Sequence, residues 1–191
     1  MVRRPLALAL LVVLSVAACG NEKTQISKLV AEPSARTQEL DYPDFGMTLE
    51  LPRNLSVLPA ERPGVFRAAI GEAVVSGFAY RRREQLPRNE RELEQALKRL
   101  ERAAEERSRS FELASSRTTE VGGARAVELL GEQTISQGRL RTRSLHVYKG
   151  SAEYVVELLA PSRDFERFDG AIFGVIRRSL DVTGEVRPAG S

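Results

Sequence analysis

The chain has 191 residues, with 29 Lys and Arg against 26 Asp and Glu and a formal charge of +3. An excess this small argues against a nucleic-acid binder, which needs a clustered basic face. One cysteine and one histidine exclude an intrachain disulfide and leave too few ligands for a zinc centre, so no metal and no cofactor are expected.

The first residues, Met1-Val2-Arg3-Arg4-Pro5, are basic, and Leu6 to Ala17 is apolar or small apart from Ser15. That run is shorter than the roughly 20 residues a spanning helix needs. A basic start, a short apolar centre and small residues at the end have the pattern of a secretory signal over residues 1–18. The small residues Val16-Ala17-Ala18 run directly into Cys19. This junction resembles the lipobox of bacterial lipoproteins, in which the cysteine is acylated and becomes the first mature residue. The resemblance implies a protein held by lipid on Cys19 at the extracytoplasmic side of the cell membrane. Loss of the leader leaves 27 basic residues against 26 acidic, or +1, so overall charge would not steer a partner and recognition would have to be local.

Residues 19–40 are polar and show no sustained period, which predicts a flexible tether of about 25 Å mean reach. A globular domain is expected over 41–182, with a short frayed tail over 183–191. Met47-Thr48-Leu49-Glu50-Leu51 alternates and is stopped by Pro52, the pattern of a half-buried strand. Pro59, Pro63 and Gly64 predict a loop. Val65–Ile70 and Ala73–Tyr80 predict a hairpin around Gly71-Glu72. Val74, Ser76, Phe78 and Tyr80 share one face of the second strand and Val75, Gly77 and Ala79 the other. Both faces are mostly apolar, which implies layers on each side of a sheet.

Asn89 followed by Glu92 resembles a capping box. Leu93, Ala96, Leu97, Leu100, Ala103 and Ala104 then form one apolar helical stripe. Phe111–Ser115 and Thr118–Val121 read as short strands, Gly122-Gly123 as a turn, and Ala124–Ile135, Arg139–Lys149 and Glu153–Ala160 as a hairpin-linked antiparallel meander. A last helix is expected after Pro161, capped by Ser162, with Phe165, Phe168, Ile172, Val175 and Ile176 buried. Gly170 and Gly174 are expected to pack closely on the sheet.

These elements in this order resemble the PsbP-like fold, in particular the LpqN-type lipoproteins of high-GC Gram-positive bacteria. The resemblance rests on Phe45-Gly46-Met47-Thr48-Leu49-Glu50-Leu51-Pro52, on Val121-Gly122-Gly123-Ala124-Arg125-Ala126, and on Tyr154 to Pro161 followed by Phe165, Phe168, Ile176 and Ser179-Leu180. It implies an α+β fold, an antiparallel sheet with helices packed on both faces. It also implies an accessory or protein-binding module, with no catalytic residues to carry over.

Ser144, His146 and Glu157 invite a triad reading if Gly150-Ser151 makes a two-residue turn. Alternate strand residues lie roughly 7 Å apart, beyond hydrogen-bond reach, and no Gly-x-Ser-x-Gly elbow raises the serine. No catalytic residue is therefore assigned, and the chain is read as a non-enzyme. Two basic clusters suit an acidic partner: Arg139, Arg141 and Arg143, alternating along one strand, and Arg81-Arg82-Arg83. The expected function is a tethered binding or scaffolding module for an envelope protein or acidic envelope component. The alternative is a carrier holding a small apolar ligand or lipid between helix and sheet, which needs a cavity of about 300 Å³ or more.

Overall fold

The computed structural model describes residues 31–107, 110–136 and 138–188. The expected leader and Cys19 lie outside the described residues. Among the described residues, five strands, a long helix and four more strands are followed by a second, interrupted helix and a short last strand. The strands are β1 (Thr37–Tyr42), β2 (Met47–Pro52), β3 (Ser56–Pro59), β4 (Gly64–Ile70), β5 (Ala73–Arg81), β6 (Phe111–Val121), β7 (Ala124–Ile135), β8 (Gly138–Lys149), β9 (Ala152–Pro161) and β10 (Asp181–Val182). Helix α1 spans Glu90–Arg107. The C-terminal helix runs as α2 (Phe165–Phe168), a π-helical turn (Asp169–Phe173) and α3 (Gly174–Ser179).

Seven strands form one antiparallel sheet in the order β3-β4-β5-β9-β8-β7-β6, and β1-β2-β10 form a smaller one. The meander from β6 to β9 follows the expected hairpins, and Gly122 and Gly123 take the positive φ angles their tight turn requires. The expected α+β architecture is present. Helix α1 packs on one face of the large sheet, and the C-terminal helix and small sheet cover the other.

The two faces differ in completeness. On the C-terminal-helix side, Leu145, Val147, Tyr154, Val156 and Leu158 of the sheet meet Phe165, Ile172, Phe173 and Ile176 of the helix and Leu49 and Leu51 of β2. All these side chains are essentially inaccessible, and each contributes about 1.5–3 kcal/mol of burial. On the α1 side, Leu93, Ala96 and Leu97 pack on Val127, Leu129 and Tyr148. Helix α1 lies over β6 and β7, so Val74, Ser76, Phe78 and Tyr80 of β5 stay half-buried. The Asn89 side chain caps α1 by accepting the Glu92 N–H at 3.0 Å. Glu92 reaches back to the Arg88 N–H at 2.8 Å, one residue earlier than the capping box places it.

Several expectations need correction. The tether does not extend to Leu40: Thr37–Tyr42 is an edge strand paired along the whole of β2. Its polar alternation carries no burial signal because it covers the small sheet only with Leu40 and Tyr42. The loop before β4 contains β3, an edge strand whose Leu58 is exposed. The two short strands after α1 are one strand, β6, with an irregularity between Leu113 and Ser115. The tail is not frayed from residue 183. Thr183 donates its N–H to Gly46, Gly184 to the Tyr154 hydroxyl and Arg187 to Asp44. Ser162 does not cap the last helix; Asp164 is its N-cap residue, without a side-chain bond to the helix backbone, and the Ser162 hydroxyl is buried without a partner. The wide π turn rotates the later residues, so Phe173 is buried and Val175 only half-buried. A β-carbon at Gly170 would meet nothing within 4 Å, so this glycine is not a close-packing contact.

Candidate functional site

The strand register places the basic residues of β8 first. Arg139, Arg141 and Arg143 share a face, as their spacing predicts, but it is the face beneath the C-terminal helix. Arg141 donates to Glu166 at 2.6 Å and lies over the Phe165 ring. Arg143 donates Nε and NH2 to the two Asp169 oxygens at 2.6 and 2.9 Å and NH1 to Glu128. Arg139 pairs with Glu132. Only Arg139 is well exposed, at 64%, against 22% and 16% for Arg141 and Arg143. The expectation that all three arginines serve an acidic partner is corrected for two of them: Arg141 and Arg143 clamp the helix to the sheet, because the sheet's acids and the helix's Glu166 and Asp169 converge there. Glu128, 2% exposed, is also held by Arg117 at 3.0 Å and Arg177 at 3.5 Å.

On the opposite face the Gly150-Ser151 turn sets Ser144 opposite Glu157 and His146 opposite Val155. His146 Nδ1 lies 2.9 Å from Glu153. Arg82 donates Nε to the other Glu153 oxygen at 2.7 Å, and its guanidinium lies over the Tyr80 ring. Burial pushes the Glu153 carboxyl up, but the hydrogen bonds and charges of His146 and Arg82 more than offset this and hold it below the usual carboxylate range. Tyr148, opposite Glu153 in the ladder, is raised well above an ordinary phenol by burial and then by the Glu153 charge. The arrangement is an Arg82–Glu153–His146 chain fixed to the sheet, with Glu153 buried and its two partners half-buried. Sequence spacing could not reveal it, because Glu153 meets His146 only diagonally across the β8–β9 hairpin.

Beside this chain, the second half of α1 and the uncovered part of the sheet enclose a recess of about 300 Å³. Leu100, Ala104, Phe111 and Leu129 form apolar walls, and Ser144 and His146 are on its floor. A β-carbon at Gly131 would run into the Phe111 ring, so that glycine lets the ring lie flat against the strand.

A second concavity, of about 590 Å³, lies at the end of the sheet. The connection from Arg82 to Asn89 crosses above the Gly122-Gly123 and Gly150-Ser151 turns, and the Arg82 N–H is anchored on Ser151 at 2.9 Å. Arg82, Arg83, Arg88, Arg125 and Lys149 line it, with Glu84 as its acid. Of the cluster Arg81-Arg82-Arg83, Arg82 is committed to Glu153 while Arg81 and Arg83 are exposed. The sequence reading missed Arg88, Arg125 and Lys149, which come from three separate segments and meet only through the sheet register. Among the described residues no group of His, Cys, Asp and Glu is arranged to hold a metal ion.

No protein-family model and no curated protein matches the chain by sequence. Among solved structures, that of PsbP from the cyanobacterium Synechocystis matches with a TM-score of 0.58 at 10% identity, over 88% of this chain and 99% of that one. The structure of LpqN from Mycobacterium tuberculosis, described as involved in cell envelope biogenesis, matches with a TM-score of 0.57 at 13% identity, over 78% of this chain and 91% of that one. With the small sheet and C-terminal helix on one side of the large sheet and α1 on the other, the chain has the PsbP-like fold.

Proposed function

We propose that this chain is a lipid-anchored, extracytoplasmic, non-enzymatic module that docks a protein or another component of the cell envelope. The lipobox-like junction at Cys19 supports the anchor, and no helix among the described residues is long and apolar enough to cross a membrane. The fold shared with an envelope protein, LpqN, supports an accessory role. The observation that carries the reading is the polarity of the domain. The chain enters beside the Gly71 turn, next to Ala31, where Glu32 pairs with Arg167. The exposed arginines sit at the other end of β5 and β9, about 30 Å away along a ten-residue strand. A domain tethered at one pole presents the opposite pole outward.

Labelling with an alkyne-bearing fatty acid tests the anchor. Wild type incorporates label and sediments with membranes, and Cys19→Ala does neither. Unlabelled wild-type protein in the soluble fraction overturns the anchor. The docking half is tested by cross-linking in intact envelopes, where recurrent capture of the same component is expected and its absence contradicts the reading.

The recess beneath α1 favours a second reading, a carrier for a small apolar ligand. Its volume of about 300 Å³ is at the lower bound for small-molecule sites. Native mass spectrometry of protein purified from its own membranes would show a retained apolar adduct, lost on Ala104→Trp, if the carrier reading holds.

A further inference from the structure

We propose that the cleft between the Arg82–Asn89 connection and the two glycine turns binds an acidic peptide segment of a partner protein. The inference rests on the docking reading above and names its surface and the partner's chemistry.

The cleft is built on rigid parts. Arg82 is held by its N–H on Ser151 and by its guanidinium on buried Glu153. The other end of the connection is fixed by the Asn89 cap of α1 and by the Arg88 N–H on Glu92. Between these points Arg83 and Arg88 are exposed, and Arg125 faces them from the start of β7. None of these three arginines forms an ion pair among the described residues. Arg125 stands opposite Glu120 in the ladder without pairing with it, and Arg88 holds Glu92 through its backbone N–H and its charge, with no ion-pair contact from its guanidinium. Lys149 reaches Asp181 only at 3.9 Å, and Glu84 is shared with Arg82 at 3.6 Å. On β8, by contrast, Arg139, Arg141 and Arg143 are each answered by a carboxylate. Three guanidinium groups without an ion-pair contact around one concavity repel one another, and that cost is relieved when an anion enters.

The chemistry selects the anion. A guanidinium fork matches carboxylate and phosphate alike. Leu86, Pro87 and Tyr148 add an apolar lining that a bare phosphate polymer would leave unused. An acidic peptide uses both, placing carboxylates on the rim and an apolar side chain on the floor. Headgroups of the anchoring leaflet are disfavoured by position, because the cleft and the chain's entry at Ala31 are at opposite ends of the sheet.

The test uses the full chain, purified from membranes in neutral detergent, and a fluorescein-labelled peptide of alternating Glu and Leu. Saturable binding that weakens steeply with salt is expected. The triple variant R83S/R88S/R125S should lose about tenfold or more in affinity, while R36S/R53S/R178S, which removes the same charge elsewhere, keeps it. The single reversal R125E reports on the cleft should the triple variant melt early. Equal binding of a Gln-for-Glu peptide, equal loss in both triple variants, or equally tight arginine-dependent binding of phosphatidylglycerol vesicles overturns the proposal. Undiminished envelope capture by R83S/R88S/R125S overturns the cleft but leaves the docking reading standing, whereas no capture by wild type removes the docking reading itself.

Discussion

Replacing Arg143 by Met should destabilise the domain far more than replacing Arg139 by Ser, although both arginines share one strand face. Arg143 is 16% exposed and is bonded to both Asp169 oxygens and to Glu128. Methionine keeps much of the stem packing near Phe173 but removes the charge. Glu128 would still be held by Arg117 at 3.0 Å and Arg177 at 3.5 Å, whereas Asp169 would lose its guanidinium partner at the π turn. Breaking a buried pair costs about 3–5 kcal/mol; partial compensation at Glu128 favours the lower end, about 3 kcal/mol. At about 2–4 °C per kcal/mol for a domain of this size, the melting temperature should fall by about 6–12 °C. Arg139 is 64% exposed, and its pair with Glu132 should be worth no more than about 1 kcal/mol. Urea titration of the full chain carrying Cys19→Ala, alone and with each substitution, measures both. An Arg143→Met loss no greater than that of Arg139→Ser would refute the clamp.

Other substitutions probe the rest of the fold. Glu153 has a folded-state pKa below its ordinary value, so its contribution is present above that value and is lost as pH falls through the folded one. Glu153→Gln should therefore flatten the acid limb of the stability–pH profile, measured by thermal melts across the acid range; an unchanged limb contradicts the Arg82–Glu153–His146 chain. A β-carbon at Gly77 would run into the Phe66 ring across the β4–β5 ladder, so Gly77→Ala should cost about 1–3 kcal/mol in a denaturant titration. Ile172, wholly buried on the sheet-facing side of the C-terminal helix, should not tolerate Asp, and a loss of several kcal/mol is expected. An unchanged melting temperature would mean that the helix is turned the other way. Ser144→Ala should leave envelope cross-linking and the melting temperature at wild-type values; loss of capture in a folded protein would assign that hydroxyl a role.

The parts legible from sequence were those in which side-chain pattern and burial coincide. The meander from Ala124 to Pro161 shows its register through glycine turns and alternation, and α1 through its cap and apolar stripe. Edge elements with few apolar side chains on the core were not legible. Strand β1 is polar and β3 ends in Pro59, so neither carries a periodic apolar signal. The π turn, which brings Phe173 into the core, has no signature in the apolar spacing of the segment. For the site, spacing placed Arg139, Arg141 and Arg143 on one face but could not identify what covers that face. Glu166 and Asp169 lie more than twenty residues further along the chain and meet the strand only once the helix has folded back. The cleft was half legible: Arg83 stood out in an arginine run, while Arg88, Arg125 and Lys149 are single cations joined by topology.

The central claim, a tethered module docking through its distal pole, is tested most directly by amine-reactive cross-linking in intact envelopes with site identification by mass spectrometry. The described residues include two lysines, Lys149 in the distal cleft and Lys98 on the exposed side of α1. The account predicts a recurrent envelope protein joined through Lys149, adjoining an acidic segment of that protein, in the wild-type chain and not in Cys19→Ala. Cross-links through Lys98 with none at Lys149, or equal capture by Cys19→Ala, would contradict it.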